Sequence, residues 1–354
     1  MNKILSNRLS NIKNKIPENS ALLIEDPVNL LYYTGIHLSA GALFITPNEV
    51  ELFVDGRYLE NCKKESDLNC ALLDNDNITL FLIFYKIEKL FFNANTTTYQ
   101  RHSQLSEDLD INIAPFNESL CHFRKIKDSA ELNYLQQAAE LGSKGYEFLK
   151  ESIVEGISEK ELSKELNLFW IKEGADGLAF DSCIAFGKNT AYPHHHSNDD
   201  KLENNTIILA DIGVKLNDYC SDMTRMIPYG TVSEKIKDIY KIVLEAQTAA
   251  IDFCKAGVTV GELDQVSRKI ISQNGYGDFF THSLGHGIGL NVHEFPYISN
   301  RTNIRDTVLE ENMVITIEPG IYLPEIGGVR IEDTVIVQNN HIINLSTPSK
   351  NILS

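Results

Sequence analysis

The chain has 354 residues, 43% of them hydrophobic, and a formal net charge of −17, so it is long enough for one large domain or two ordinary ones. The acidic excess, which lies mainly after residue 125, would repel nucleic acid and anionic membranes and concentrate divalent cations. The polar N-terminus lacks the apolar core of a signal peptide, no stretch is long enough to span a membrane, and the cysteines are scattered. We therefore expect a cytoplasmic protein with reduced thiols and with neither nucleic acid nor membrane as a partner.

The first 123 residues predict an α/β domain, because short β-rich runs alternate with helical or polar stretches. The runs lie at residues 21–25, 42–47, 50–55 and 90–93. Asp26 followed by Pro27 is typical of a helix start, since aspartate caps a helix and proline fits its first turn. Pro47-Asn48-Glu49 predicts the turn of a hairpin between two of the strands.

Around residues 123–128 the pattern changes to that of a long amphipathic helix, which we expect to continue to about Glu151. A change of this kind is typical of a domain boundary. We therefore divide the chain into an N-terminal domain, residues 1–123, and a C-terminal domain, residues 124–354.

The C-terminal domain contains a weak internal repeat, in which residues 155–162 align with residues 256–263 at a constant offset of 101. The copies share helix-capping boxes and closing glycines: Ser158 with Glu161, Thr259 with Glu262, and Gly174 and Gly275. Two independent helix–helix–strand units could share such caps for local reasons. We favour a pseudo-twofold domain whose halves together form the walls of a central site.

Residues 206–213 and 219–227 predict the two strands of a hairpin that carries Asp211 and Asp222. The two aspartates face each other if the turn is centred between residues 216 and 217, and stand diagonally on one face if it is centred one residue later. Two bare carboxylates this close repel each other, whereas bridging cations make the pair favourable. The apolar run before Asp211 indicates burial and argues against a solvated surface pair.

Three further candidate ligands, Glu332, Glu318 and His286, follow along the chain. Glu332 shares a face with Arg330 in the alternating segment 329–337, which predicts a single strand. Glu318 closes an apolar strand, and His286 is flanked by glycines that let the backbone approach a ligand closely. Four carboxylates and one imidazole are too anionic to be buried without cations, so the set predicts a pair of divalent metals.

The five candidate ligands lie in the phrases Ala-Asp-Ile-Gly, Ser-Asp-Met-Thr-Arg, Leu-Gly-His-Gly-Ile-Gly, Ile-Glu-Pro-Gly-Ile-Tyr and Val-Arg-Ile-Glu-Asp. In this order, these phrases resemble the metallopeptidase family with the pita-bread fold, which includes methionine aminopeptidase, Xaa-Pro aminopeptidase and Xaa-Pro dipeptidase. The segment Asp26-Pro-Val-Asn-Leu-Leu-Tyr-Tyr-Thr-Gly35 resembles the extra N-terminal domain of the proline-directed branch. The resemblance spans nearly the whole chain.

This resemblance implies a creatinase-like α/β N-terminal domain and an α+β pita-bread catalytic domain with a pseudo-twofold repeat around an antiparallel sheet. It implies that Asp222 and Glu332 bridge two metal ions, that Asp211 binds one ion, and that His286 and Glu318 bind the other. One nitrogen among carboxylates favours manganese, with cobalt, iron and zinc as alternatives.

The same resemblance implies that His194, His282 and His293 contact the substrate and that Arg330 supports the metal ligands. For the mechanism, we expect Glu318 to carry a proton from the water to the proline nitrogen in addition to binding metal. The implied activity is that of an Xaa-Pro aminopeptidase: hydrolysis of the bond between the first residue of a peptide and a proline at the second position, by a hydroxide bridging the two metals. A homodimer is also implied.

Xaa-Pro dipeptidase is the main alternative, since it differs in capturing the carboxylate of a dipeptide. Arg301 or Arg305 could provide that contact, although each also fits an ordinary surface position. A metal-free binding protein or a creatinase-like metal-free hydrolase of the same fold is disfavoured, because all five ligand positions are filled.

Overall fold

The computed structural model describes residues 3–350, which form two compact units, one ending at Arg124 and the other beginning at Lys125. No helix in this described range is long and apolar enough to cross a membrane. The six cysteines are free thiols, as the sequence predicts.

The N-terminal unit is built on a mixed six-stranded sheet. Its elements are α1 (Lys3–Lys13), β1 (Ser20–Ile24), α2 (Pro27–Thr34), β2 (Gly41–Ile45), β3 (Val50–Val54), α3 (Leu59–Glu65), β4 (Asn69–Leu72), α4 (Asn75–Phe84), β5 (Lys89–Phe92), α5 (Tyr99–Asp108) and β6 (Asn112–Pro115). The strand order is β4-β3-β2-β1-β5-β6, with β1 antiparallel to β2 and parallel to β5. The prediction of an α/β domain is confirmed.

The four predicted strands of this unit are present as β1, β2, β3 and β5, and α2 begins where expected. Asp26 caps α2 by accepting a hydrogen bond from Asn29 N at 3.0 Å. The predicted hairpin turn is closed by Thr46 N donating to Glu49 O at 2.9 Å. Strands β4 and β6 were not predicted, because these short edge strands are only partly buried and contain polar residues in place of an apolar run.

The C-terminal unit contains four long helices and several antiparallel sheets. Its elements are α6 (Ser129–Ser152), α7 (Glu159–Lys172), β7 (Gly177–Leu178), β8 (Cys183–Phe186), β9 (Thr206–Ile212), β10 (Val214–Leu216), β11 (Tyr219–Cys220), β12 (Met223–Tyr229), α8 (Glu234–Phe253), α9 (Val260–Gln273), β13 (Gly285–Gly287), β14 (Glu294–Ile298), β15 (Val314–Ile317), β16 (Gly320–Leu323), β17 (Gly327–Arg330), β18 (Asp333–Val337) and β19 (Ile342–Asn344). The sheets have the orders β11-β10-β7, β12-β9-β8, β14-β13-β15-β18-β19 and β16-β17.

The internal repeat is present in the fold as two helix pairs, α6 with α7 and α8 with α9, each followed by strands. Both predicted capping boxes form, and the closing glycines Gly174 and Gly275 have φ angles of 87° and 84°. The loops before α7 and α9 also match: Gly156 N donates to Leu202 O at 2.9 Å and Gly257 N donates to Leu309 O at 2.8 Å. The predicted pseudo-twofold arrangement is confirmed.

The hairpin that carries the two aspartates turns at Asn217 and Asp218, whose φ angles of 50° and 68° fit a two-residue turn. This turn is centred one residue later than the position that would make the aspartates face each other. In β9 and β12, Asp211 pairs with Thr224, so Asp222 lies diagonally from Asp211. The directly opposed alternative is therefore wrong, and the diagonal one is correct.

The predicted single strand over residues 329–337 is wrong, because the chain breaks into β17 and β18 at Ile331 and Glu332. Strand β15 pairs with β18 and β16 with β17 in one continuous register, which places Glu318 opposite Glu332 at the interruption. The break has a physical reason, since the backbone N–H of Glu332 donates to Thr224 O at 3.2 Å. The backbone N–H of Glu332 is thus bonded to the hairpin that carries the two aspartates and not to its own hairpin.

Removing the N-cap hydroxyl of either repeat helix should lower the free energy of unfolding by about 1 kcal/mol. We expect Ser158→Ala and Thr259→Ala to have similar effects, because the two hydroxyls accept equivalent bonds from Glu161 N at 3.1 Å and Glu262 N at 3.2 Å. Urea unfolding followed by circular dichroism measures the change. Lys160→Ala, at an exposed position of α7, is the control, and an equal loss in that variant would contradict the assignment to the caps.

Candidate metal centre

A cavity of about 370 Å³ lies within the C-terminal unit and is lined by residues from both halves of the repeat. The structure brings all nine predicted site residues to its wall: Asp211, Asp222, His286, Glu318, Glu332, His194, His282, His293 and Arg330. Arg301 and Arg305 are exposed and do not line the cavity.

The most compact group of potential ligands is formed by Asp222, His286 and Glu332, whose ligand atoms lie within 4.8 Å of one another. His286 Nε2 lies 3.5 Å from Asp222 Oδ2 and 3.5 Å from Glu318 Oε1. His286 Nδ1 lies 3.0 Å from Gly287 O, so Nδ1–H donates to that carbonyl and Nε2 keeps its lone pair toward the carboxylates. This tautomer is the one that a metal-binding histidine requires.

The glycines around His286 allow close packing of three strands. A Cβ at Gly285 would collide with the carbonyl oxygen of Thr316 on β15, and one at Gly287 would collide with that of Phe295 on β14. Only glycine fits such close backbone approaches. The phrase Leu-Gly-His-Gly-Ile-Gly therefore fixes where the imidazole enters the cavity.

Arg330 is buried beside the carboxylates, and all three nitrogens of its guanidinium donate hydrogen bonds. Nη2 donates to Asp211 Oδ2 at 2.7 Å, Nη1 donates to the hydroxyl of Tyr322 at 2.8 Å, and Nε donates to Thr224 Oγ1 at 3.0 Å. Thr224 Oγ1 in turn donates to Glu332 Oε2 at 2.7 Å. One arginine therefore holds one oxygen of Asp211 directly and one oxygen of Glu332 through the threonine.

The other oxygens of these two carboxylates are unsatisfied. Asp211 Oδ1 and Glu332 Oε1 are buried and have no hydrogen-bond partner in the described part of the chain. A buried carboxylate oxygen without a partner is strongly destabilising, and such groups are rare in folded proteins. Carboxylate oxygens left without partners at the wall of a cavity that also presents an unprotonated imidazole nitrogen fit a divalent cation.

The protonation of the site supports the same conclusion. Burial, followed by the neighbouring charge of Asp211, raises the pKa of Glu332 to about 8. Burial and the nearby Glu332 likewise raise the pKa of Asp222 and the pKa of Glu318 well above their usual values. Burial lowers the pKa of His286 to about 3, so the ring is neutral. Without a cation the site keeps protons on its carboxyl groups, and a dication would favour their ionised forms.

The further histidines of the cavity differ in their surroundings. His282 Nε2 lies 2.8 Å from the hydroxyl of Tyr322 and its Nδ1 lies 2.8 Å from Ser283 O, so the ring donates to Ser283 and accepts from Tyr322. Burial lowers the pKa of His282 to about 4. His293 meets His286 edge to face with ring centroids 4.3 Å apart, and His194 is exposed at the cavity wall. All three histidines therefore line the cavity: His194 and His293 are exposed there, and His282 is hydrogen-bonded to the buried Tyr322.

Tyr322 and Thr224 were not predicted from the sequence, although each lies in a phrase that was. Thr224 follows Asp222 by two residues, and Tyr322 ends the phrase Ile-Glu-Pro-Gly-Ile-Tyr. The period of two in a strand would have placed Thr224 on the face of Asp222. No local signal identifies Tyr322, because its partners His282 and Arg330 come from separate strands or loops.

We expect manganese to raise the thermal midpoint of chelator-treated protein, because a ligand that binds only the folded state stabilises it by about 2.7 kcal/mol at one hundred times its Kd. Glu332→Gln should lose most of this rise, since its amide supplies no anionic oxygen. Differential scanning fluorimetry with and without the metal measures both effects. Glu311→Gln at an exposed position is the control, and a rise that is equal in all three proteins would place the metal elsewhere.

Arg330→Met should lower the free energy of unfolding of the metal-free protein by about 3–5 kcal/mol, since it leaves buried carboxylates without their cation. Urea unfolding in the presence of a chelator measures the loss. Arg305→Met removes an arginine at an exposed position and is the matched control. Equal stability of the two variants would mean that Arg330 does not balance the charge of the site.

Comparisons with known proteins also indicate a metallopeptidase, and the matches cover nearly the full chain. The protein-family model for Metallopeptidase family M24 matches residues 133–339. The family model for the Creatinase/Prolidase N-terminal domain matches residues 8–126. An Xaa-Pro dipeptidase of Pyrococcus furiosus is 36% identical, and the alignment covers 99% of this chain and 100% of that protein.

Two solved structures illustrate the similarity in three dimensions. An Xaa-Pro dipeptidase from Bacillus anthracis has a TM-score of 0.94 and 34% identity, over 98% of this chain and 99% of the other. An X-Pro aminopeptidase from Thermotoga maritima has a TM-score of 0.89 and 33% identity, over 97% and 99%. With its fold, its cavity and these relatives in agreement, the chain belongs to metallopeptidase family M24, in the form that carries a Creatinase/Prolidase N-terminal domain.

Proposed function

We propose that the protein is a metal-dependent exopeptidase that hydrolyses the peptide bond preceding proline, with Xaa-Pro dipeptides as its preferred substrates. The observation that carries this proposal is the pair of unsatisfied carboxylate oxygens, Asp211 Oδ1 and Glu332 Oε1, at the wall of the cavity. The names of the relatives, Xaa-Pro dipeptidase and X-Pro aminopeptidase, supply the substrate class.

Five residues would hold two divalent ions: Asp211, Asp222, His286, Glu318 and Glu332. When bound, the ions supply Lewis acidity toward the scissile carbonyl and a water made acidic enough to act near neutral pH. One nitrogen ligand among carboxylates favours manganese, with cobalt, iron and zinc as alternatives.

The side chains around the ions perform the other tasks. Glu318 borders the cavity, where its carboxylate would carry the proton that must reach the leaving proline nitrogen. Arg330 keeps Asp211 in place, and Tyr322 lies between Arg330 and His282. His282 is neutral because burial depresses its pKa, so its ring adds no charge to the wall of the cavity.

The remaining histidines would contact the substrate at the more open side of the cavity. His194 and His293 are both exposed there, and Tyr297 and Val292 contribute apolar surface. Apolar surface is what a pocket for proline needs, because the tertiary amide of an Xaa-Pro bond has no N–H to recognise. Selection of proline would therefore come from shape.

The preference for dipeptides follows the relatives from Pyrococcus furiosus and Bacillus anthracis, which are both described as Xaa-Pro dipeptidases. The sequence favoured an aminopeptidase for longer peptides, with the dipeptidase as the alternative. Arg301 and Arg305, the arginines considered for the carboxylate of a dipeptide, do not line the cavity. Any contact with the carboxylate of a dipeptide would therefore come from other residues of the cavity wall.

We further propose that residues 1–123 form the creatinase-like domain and residues 124–354 the catalytic domain, which the two compact units and the two matched family models support. The homodimer and the cytoplasmic location stay predictions. Sedimentation velocity of the purified protein tests the first, since a dimer has twice the mass of the 39.9 kDa chain.

Comparing an Xaa-Pro dipeptide with an Xaa-Pro-Xaa tripeptide, each in the presence of manganese, tests the function. We expect kcat/KM to be at least about tenfold higher for the dipeptide, which corresponds to about 1.4 kcal/mol of additional transition-state binding. An Xaa-Ala dipeptide of the same length is the control for proline selection. The reverse order would favour the aminopeptidase.

Cleavage of neither proline substrate by protein that has bound metal would overturn the enzymatic proposal and favour a binding protein of the same fold. Activity that is unchanged after complete metal removal would favour a creatinase-like metal-free hydrolase. Metal analysis of the same sample decides between these outcomes.

A further inference from the structure

Glu159 is a fully buried carboxylate at the first position of α7, and it is not part of the cavity wall. Its Oε1 accepts hydrogen bonds from Phe186 N at 2.7 Å and from Asn189 Nδ2 at 2.9 Å. Its Oε2 accepts from Asn198 N at 3.0 Å and lies 2.6 Å from His195 Nε2. Because an ionised carboxylate only accepts, Nε2 of His195 is the donor in that bond.

The four donors to Glu159 belong to one segment, residues 186–198, and include both of its ends. The segment begins at the end of β8, passes through a short 3-10 helix (Gly187–Ala191) and carries His194 to the cavity. A single carboxylate therefore ties together the two ends of this segment, its helix and the residue next to His194. Since ionised acceptors make the stronger hydrogen bonds, the contact is well suited to hold a loop in one conformation.

His194 itself makes no hydrogen bond to the described part of the chain, and its side chain is exposed. Its position at the cavity wall is therefore set by the backbone of its own segment and not by hydrogen bonds of the ring. A small shift of the segment would move the ring relative to the substrate, and a displacement of about 1 Å can reduce a rate by about 100-fold.

We propose that Glu159 is a positioning residue, which fixes residues 186–198 so that His194 stands at the substrate; this role rests on the proposed peptidase function. The carboxylate lies in the first turn of α7, where the positive end of the helix dipole stabilises a negative charge.

The second half of the repeat contains a comparable contact. Asp264 on α9 is fully buried, accepts from Leu284 N at 3.3 Å and forms a bidentate pair with Arg268. Arg268 Nη2 donates to His282 O at 2.9 Å. In each half, a buried carboxylate on the capped repeat helix holds the segment that bears a cavity histidine.

Hydrogen exchange of the metal-free protein, measured by mass spectrometry, tests whether Glu159 fixes the segment. Glu159→Gln keeps the size of the side chain but replaces one accepting oxygen by a donor, so it can accept either from Phe186 N and Asn189 or from Asn198 N and His195, but not from all four. We expect exchange in peptides covering residues 186–198 to become at least about tenfold faster. Glu165→Gln, which removes a charge from an exposed position of the same helix, should leave this exchange unchanged.

Kinetics with a proline substrate and manganese test whether the fixed segment serves His194. Glu159→Gln and His194→Ala should each lower kcat/KM by about tenfold or more, while bound metal stays at the wild-type level. The double variant should be no worse than His194→Ala alone, because both changes remove the same contact. A purely structural role would instead add its loss to that of His194→Ala.

Asn189→Ala, which removes one of the four donors and lies outside the cavity wall, is the second variant in case Glu159→Gln does not fold. It should show faster exchange in residues 186–198 and a lower kcat/KM, and both changes should be smaller than in Glu159→Gln. Unchanged exchange, or additive kinetic losses, would overturn the proposal. If the metal-loaded wild type cleaves no proline substrate, the proposed function fails, and the exchange data still decide whether Glu159 fixes the segment.

Discussion

Repulsion among buried carboxylates is the constraint around which the C-terminal unit is built. Asp211, Asp222, Glu318 and Glu332 line one cavity, and among the lysines and arginines of residues 3–350 only Arg330 lines it with them. The arginine neutralises one charge and holds Asp211 and, through a threonine, Glu332. Burial, followed by the charge of Asp211, still raises the pKa of Glu332 to about 8, and a divalent cation would favour the ionised carboxylate.

The two hairpins that supply these carboxylates are both interrupted at the cavity. Continuous strands would place successive side chains on opposite faces and would direct only alternate residues to the site. At the interruption, the backbone N–H of Glu332 donates to Thr224 O on the neighbouring hairpin and not to a strand of its own hairpin. This hydrogen bond joins the two halves of the repeat directly at the candidate metal ligands.

The segments that carry His282 and His194 are held by buried carboxylates outside the cavity wall. His282 is linked to Tyr322, and its segment is held by Arg268 and Asp264. The segment of His194 is tied to Glu159 in the other half. The rigid supports thus lie on capped helices, while the side chains that face the open cavity remain free to contact a peptide. This division suits a metallopeptidase, whose ligands must stay fixed while substrates exchange.

The sequence by itself determined the candidate ligands, the capping boxes and the start of α6, because each depends on residues within a few positions of one another. It also indicated the repeat, since equal caps at a constant offset require no knowledge of contacts. The hairpin register, the break at Glu332, and the links from Arg330 to Tyr322 and from Glu159 to residues 186–198 were decided only by the tertiary structure. These features depend on hydrogen bonds between distant segments, which compete with the local strand pattern and leave no periodic signal in the chain.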